Sequence, residues 1–94
     1  ESFKLYQNYP NPFNPVTQIR LAVSEFSMVR VNIYDIQGRI VETIINETLS
    51  AGYYNYKWNA EGIASGMYIM EIRITPRGSQ QLLYKDVRKL LLMR

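Results

Sequence analysis

The sequence contains no cysteine and no histidine. Without cysteine it can form no disulfide and can offer no thiolate as a metal ligand or nucleophile. Without histidine it lacks the commonest general base and the commonest zinc ligand. None of the serines lies in a Gly-x-Ser-x-Gly elbow. We therefore expect no enzymatic activity, no metal and no other cofactor.

The carboxylates are dispersed along the chain and frame no catalytic constellation. Glu42 with Glu47, or Glu71 with Asp86, could approach each other across strands. Such pairs most often belong to solvated strand faces and cross-strand ion pairs.

Other signatures are also missing. No apolar run approaches the roughly 18–20 residues of a membrane-spanning helix. No glycine cluster forms a phosphate loop. The formal net charge is +3, and the cations are scattered among acidic residues, so we expect no nucleic-acid partner. Glu1 opens no signal-peptide pattern, so if a longer parent protein is exported, its secretory signal is expected upstream of this stretch.

The length of 94 residues predicts a single domain over residues 1–94, because halves of this chain would be too small to bury a core. Apolar residues alternate with polar ones almost throughout, a period of two that is typical of strands with one buried face. The predicted strands include Val16–Val23, Met28–Asp35, Arg39–Ile45, Tyr53–Trp58, Met67–Thr75 and Leu82–Met93.

Turn signals recur about every ten residues, and about seven strands with such spacing predict an all-β fold, an immunoglobulin-like antiparallel β-sandwich. Gly38 supplies the positive φ of a hairpin turn that brings Arg39–Ile45 back antiparallel to its predecessor. Asn46–Gly52 is predicted to be a loop, and Gly66 closes a long turn before the next strand.

The aromatic residues admit two interpretations. Tyr54, Tyr56 and Trp58 share one face of a strand, and with Tyr68 they are expected in the core, with Trp58 at its centre. Tyr53 and Tyr9 are expected to be exposed. A tyrosine platform for sugar rings is the alternative.

A proline-rich leading segment occupies residues 1–15. It contains Pro10, Asn11, Pro12, Phe13, Asn14 and Pro15. Because each proline fixes φ and lacks an N–H, the segment can be neither a helix nor a central strand. It is interpreted as a proline-stiffened edge strand or as a rigid connection to an upstream domain.

The terminal strand, residues 82–94, ends in Arg88, Lys89, Leu90, Leu91, Leu92, Met93 and Arg94. Leu90 and Leu92 are expected on one face, with Leu91 and Met93 on the other. A half-exposed edge strand needs apolar side chains on its buried face only, so their presence on both faces is unusual. A free edge here would suit strand addition by another protein, or weak self-association.

These motifs, taken in order, resemble the type A C-terminal sorting domains of the type IX secretion system. The resemblance rests on Leu5–Arg20, Val31–Arg39, Ala51–Asn59, Ala64–Tyr68 and Arg88–Arg94. The chain is also similar to the immunoglobulin-like domain of flagellar hook-capping proteins. Gly38 and Gly66 match glycines of the family motif.

The resemblance implies a non-catalytic module at the end of an exported protein. Such a domain folds in the periplasm, is recognised by an outer-membrane translocon, and is usually removed by a sortase-like protease near or before Ser2–Leu5. The same protease attaches the cargo to a surface anchor, lipopolysaccharide, so that the cargo lies on the outer-membrane surface or outside the cell. The implied recognition element is the terminal strand Arg88–Arg94, where the family often has Lys-Lys in place of Arg88-Lys89. A structural spacer or cell-anchoring module of a larger extracellular protein is the alternative, and a carbohydrate-binding module is a more distant one.

Overall fold

Seven strands and no helix make up the chain in a computed structural model that describes residues 2–94. The strands are β1 (Lys4–Leu5), β2 (Val16–Val23), β3 (Ser27–Tyr34), β4 (Ile40–Leu49), β5 (Gly52–Asn59), β6 (Gly66–Thr75) and β7 (Tyr84–Leu92). They form a three-stranded sheet in the order β1-β2-β5 and a four-stranded sheet in the order β4-β3-β6-β7. Every strand pair is antiparallel. The expected all-β sandwich is therefore confirmed.

The core lies between the two sheets and is built by the alternation seen in the sequence. On β3 the inward residues Val29, Val31 and Ile33 are fully buried, and the residues between them are not. Trp58 is 3% exposed and packs between Phe13 and Tyr68, with ring centroids 5.6 and 6.5 Å away. The expected place of Trp58 in the core is confirmed.

The hairpin between β3 and β4 forms as predicted. Gly38 has φ +87°, and its N–H donates to the carbonyl of Asp35 at 3.0 Å. The Asp35 carboxylate accepts the backbone N–H groups of Gln37 and Arg39 and pairs with the Arg39 guanidinium at 2.9 Å. The Arg39 backbone N–H is the main contact that holds the pKa of Asp35 below its usual value.

The predicted loop over Asn46–Gly52 is wrong. β4 continues to Leu49, because Ile45 and Leu49 face the core opposite Val31 and Ser27 of β3. Only Ser50 and Ala51 remain between β4 and β5. Register shifts at Val41 and Ile44 form β-bulges in β4. Each bulge adds one residue and so interrupts the alternation of inward and outward side chains on which the sequence prediction depends.

The last strand is shorter than predicted and the leading segment is not a continuous edge strand. β7 begins at Tyr84 rather than Leu82. Before β2, only Lys4 and Leu5 form a strand, followed by isolated bridges at Tyr9 and Phe13. The prolines account for this, since they remove the N–H groups that a continuous ladder needs.

The aromatic expectations hold with one refinement. Tyr68 is buried, whereas Tyr54 and Tyr56 are half-buried and pack on the rim of the core. Tyr53 is 84% exposed and Tyr9 is 71% exposed. Burial raises the pKa of Tyr56, whose hydroxyl also lies 3.4 Å from the Glu47 carboxylate.

Candidate functional site: the terminal strand and its clasp

The terminal strand β7 forms one edge of the four-stranded sheet, and the residues singled out from the sequence divide between its two faces. Leu90 and Leu92 are fully buried between the sheets. Lys89 and Met93 are exposed and Leu91 is half-buried on the outer face. The predicted division of the apolar residues is confirmed, and it means that only the outer set can meet a partner while the domain is folded.

Arg88 and Lys89 have different surroundings. The Arg88 guanidinium points toward the core side, where it donates to the carbonyl of Leu5 at 3.0 Å and pairs with Asp86 at 3.1 Å. Tyr84 binds the other backbone group of Leu5, accepting its N–H at 3.2 Å. Arg88 therefore joins β7 to β1, while the Lys89 ammonium remains on the surface.

Arg94 closes the far end of the sandwich. Its guanidinium donates to the carbonyls of Ile63 and Ala60 at 2.7 and 3.1 Å, and its backbone N–H donates to the Ser65 hydroxyl at 3.0 Å. These contacts fix the turn that leads to Gly66, whose φ is +151°. Arg94 is exposed, but its guanidinium is occupied by loop carbonyls.

The outer edge of β7 is not free, which corrects the expectation of an open strand edge. The leading segment runs beside it in the same direction, with a parallel bridge between Phe13 and Leu92. The Phe13 N–H donates to the Leu91 carbonyl and the Met93 N–H donates to the Phe13 carbonyl, both at 3.0 Å.

Side chains complete this contact, which we call the clasp: Gln7, Asn11 and Phe13 on the edge of residues 89–93. Asn11 accepts the Leu91 N–H at 2.9 Å and donates to the Lys89 carbonyl at 3.3 Å. Gln7 donates to the same carbonyl at 2.9 Å. The side-chain amides of Gln7 and Asn11 thus supply hydrogen bonds that a neighbouring strand would otherwise make, in a segment where the prolines have no N–H to donate.

The proline-rich motif is held in shape from within. Asn8 is 2% exposed and Thr17 is fully buried, and their side chains meet at 3.0 Å. Both donate to the carbonyl of Pro10, at 3.2 and 2.8 Å. The motif residues Pro12 and Asn14 are exposed, Pro15 is half-buried, and Phe13 enters the core.

Gln7, Asn8 and Thr17 were missed in the sequence. Polar residues inside an irregular segment gave no periodic signal, although asparagine is a common turn-stabilising residue.

The outer face of β6 and β7 carries apolar side chains beside Lys89. Met67 lies opposite Leu91, and Ile69 lies opposite Lys89. Met67 is 40% exposed and Val87 is 43% exposed. We call this surface the terminal patch. It consists of Met67, Ile69, Val87, Lys89, Leu91 and Met93.

The carboxylates do not assemble a reactive site. Glu71 lies 3.6 Å from both Arg73 and Lys85, and Asp86 is paired with Arg88. Within residues 2–94 there is no group of three acidic side chains placed to hold a metal ion. No helix in that range could cross a membrane.

The fold and the candidate site define a small two-sheet β-sandwich whose last strand is clasped by its own leading segment. A family model described as the secretion system C-terminal sorting domain matches residues 7–84. The chain belongs to this family, the sorting domains of type IX secretion. Searches of curated proteins and of solved structures give no significant match.

The family assigns the broad role. These domains direct the protein that carries them through the cell envelope toward the surface, and they are in general non-catalytic. The role implies an interaction with the secretion machinery and a parent protein. The matched range ends at Tyr84, the first residue of β7.

Proposed function

We propose that the outer-membrane translocon of the type IX system recognises the folded domain through the terminal patch. The single observation that carries this is the separation of faces on β7: Leu90 and Leu92 are fully buried, while Lys89, Leu91 and Met93 face outward. Apolar side chains around one unpaired cation suit a protein partner, because the core of an interface is apolar with few charges.

The position of the patch is compatible with an attached cargo. Ser2 lies near Ser24 and Tyr53 at one end of the sandwich. Arg94 is bonded to Ala60, Ile63 and Ser65 at the other end, and the longest dimension of the domain is 38 Å. A parent protein joined before Ser2 would leave Leu91 and Met93 accessible.

We further propose that a sortase-like protease cleaves the chain before Phe3. Leu5 is fully buried and Lys4 and Leu5 pair with β2, while the Phe3 ring packs 6.0 Å from that of Tyr84. A protease needs an accessible, extended chain, so these residues are protected while the domain is folded. The exported cargo would then continue to the outer-membrane surface or the medium after periplasmic transit.

The experiment is a fusion of a signal peptide, a fluorescent cargo and residues 1–94. It is expressed in a host with a working type IX system and in one that lacks the translocon. The cargo should reach the surface or medium only in the first host. Lys89→Glu and Leu91→Asn should reduce export by at least about tenfold, as for central residues of an interface.

Arg30→Glu is the matched control, since Arg30 is exposed on the same sheet but lies on β3 away from the patch. Each variant must first show a wild-type circular dichroism spectrum and melting temperature. Normal export of folded Lys89→Glu and Leu91→Asn would overturn the proposed recognition surface. Intact-mass measurement of any released domain tests the cleavage site, and a product starting after Phe3 would contradict it.

A rigid structural spacer is the second candidate, and the clasp favours it. The Tyr9 N–H and carbonyl both bond to Gln18, so the leading segment is tied to β2 as well as to β7. Such ties fix the direction in which the chain enters the domain. Cargo that stays in the periplasm of both hosts, with the domain folded, would support the spacer.

A further inference from the structure

The outer face of the three-stranded sheet has an arrangement that the proposed recognition through the terminal patch does not use. Cross-strand pairing places nine residues in three rows, which are Lys4–Ala22–Tyr53, Tyr6–Arg20–Asn55 and Tyr9–Gln18–Lys57. With strand geometry, the rows span about 14 Å along the strands and about 10 Å across them. We call these nine residues the tyrosine–cation face.

Among residues 2–94, the cations of this face have no acidic partner. Lys4, Arg20 and Lys57 cross it diagonally, and β1, β2 and β5 contain no acidic residue. None of the ion pairs among residues 2–94 involves these three cations. On the opposite sheet, by contrast, Arg73 and Lys85 are both paired with Glu71.

The Tyr6 ring positions two of the cations. The Lys4 ammonium lies 4.8 Å and the Arg20 guanidinium 5.3 Å from its centroid. Cation–π contacts of this kind hold a cation in place without neutralising its charge. Lys4 and Arg20 therefore remain available to an anion.

Flat aromatic and amide surfaces accompany the charges. Tyr53 and Tyr9 are 84% and 71% exposed, with Asn55 exposed and Gln18 half-buried on the same face. A groove of about 270 Å³ lies among Tyr6, Arg20, Tyr53 and Asn55. An acidic sugar chain has a partner for each of these groups. Its rings can pack on tyrosine, its hydroxyl groups can hydrogen-bond to side-chain amides, and its carboxylates can pair with cations.

We propose that the tyrosine–cation face binds an acidic polysaccharide, with Arg20 and Lys57 holding carboxylates and Tyr53 packing on a sugar ring. The face is on the other side of the sandwich from the terminal patch, so both can be engaged together. This activity is independent of the proposed recognition by the translocon.

Affinity electrophoresis of the purified 94-residue chain in gels with polygalacturonate tests the proposal, with dextran as the neutral polymer. The chain should be retarded by polygalacturonate and not by dextran. Arg20→Gln should weaken binding about tenfold, the effect of one lost charge-assisted contact. Tyr53→Ser should weaken binding several-fold without any change in charge.

The matched control is Arg30→Gln, which removes the same charge from the other sheet and should leave binding unchanged. Equal effects of Arg20→Gln and Arg30→Gln would overturn the proposal, as would the absence of retardation. Poly-glutamate is the acidic-polypeptide probe. If it binds as tightly as polygalacturonate and Tyr53→Ser weakens neither, the face is a general anion surface and the sugar assignment is wrong.

Discussion

Trp58 is the residue on which the core depends and also the one with an unsatisfied group. Its indole N–H is buried without a hydrogen-bond partner, the sole such side-chain atom among residues 2–94. An unpaired buried donor costs about 1–3 kcal/mol. The ring therefore contributes through packing against Phe13 and Tyr68 and not through its polar atom.

Two substitutions at Trp58 separate packing from polarity. Trp58→Ala should destabilise the domain by about 3–5 kcal/mol through the cavity it leaves. Trp58→Phe should cost less than about 2 kcal/mol, because loss of the unpaired N–H offsets part of the lost packing. Urea unfolding followed by circular dichroism measures both. Equal losses for the two variants would contradict this account.

Tyr84 gives the domain a pH dependence on the alkaline side. Burial raises the pKa of its hydroxyl, and the hydrogen bond it donates to Asp86 raises it further, against the opposing effect of the Leu5 N–H. A pKa raised on folding contributes stability that is complete below the unfolded value of about 10 and is lost as the pH rises through the folded value.

Tyr84→Phe should therefore be less stable than the wild type at neutral pH, and the difference should shrink as the pH rises above about 10. Urea unfolding at several alkaline pH values measures the difference directly, and other ionising groups largely cancel in the comparison. Tyr56→Phe should behave similarly, since burial raises the pKa of Tyr56 as well. A difference that stays constant up to about pH 11 would argue against this role of Tyr84.

At the scale of the elements, three of the four sheet edges differ in how far they are open to pairing with another strand. The edge of β7 is bonded by the clasp, and the edge of β4 is interrupted by bulges at Val41 and Ile44. β5 pairs regularly with β2 along its whole length and has no strand of residues 2–94 on its other side. Covered and bulged edges resist pairing with other chains. Any weak self-association is therefore expected at β5 rather than at β7.

Asn11→Ala tests whether the clasp protects the terminal strand. It removes the hydrogen bonds to the Leu91 N–H and the Lys89 carbonyl, for an expected loss of about 1–2 kcal/mol. Hydrogen exchange at the Leu91 amide should accelerate. Asn14→Ala is the control, because Asn14 is exposed in the same segment and is not part of the clasp. Similar exchange rates in the two variants would mean that Asn11 does not protect the edge.

The strands could be predicted because their two-residue period survives in β2, β3 and β6, where one face is buried. The bulges of β4 moved Ile44 and Ile45 onto successive positions of the core side, which no strict alternation anticipates. The clasp could not be predicted either. Asn11 and Leu91 are 80 positions apart, and the pattern near each gives no sign of the other.

At the scale of the whole molecule, the first and last segments of the described chain form one structural unit. Phe13 and Leu92 are both buried in the core and lie side by side. Arg88 and Tyr84 hold Leu5 by its two backbone groups. The proposed recognition of the terminal strand would therefore be coupled to completion of the fold, since the clasp forms only when both segments are present.

Deleting Leu90–Arg94 should consequently unfold the domain rather than remove a surface signal alone. The deletion takes two fully buried leucines and the partners of Asn11 and Phe13. Loss of two leucine side chains from a core costs about 4–10 kcal/mol, which is comparable with the total stability of a domain of this size. Circular dichroism should show loss of strand signal and of a cooperative melting transition. Deleting Arg94 alone leaves the leucines in place, so that variant should stay folded with a lower melting temperature. A folded, cooperative domain that lacks residues 90–94 would show that this segment is dispensable for the fold and would contradict the prediction.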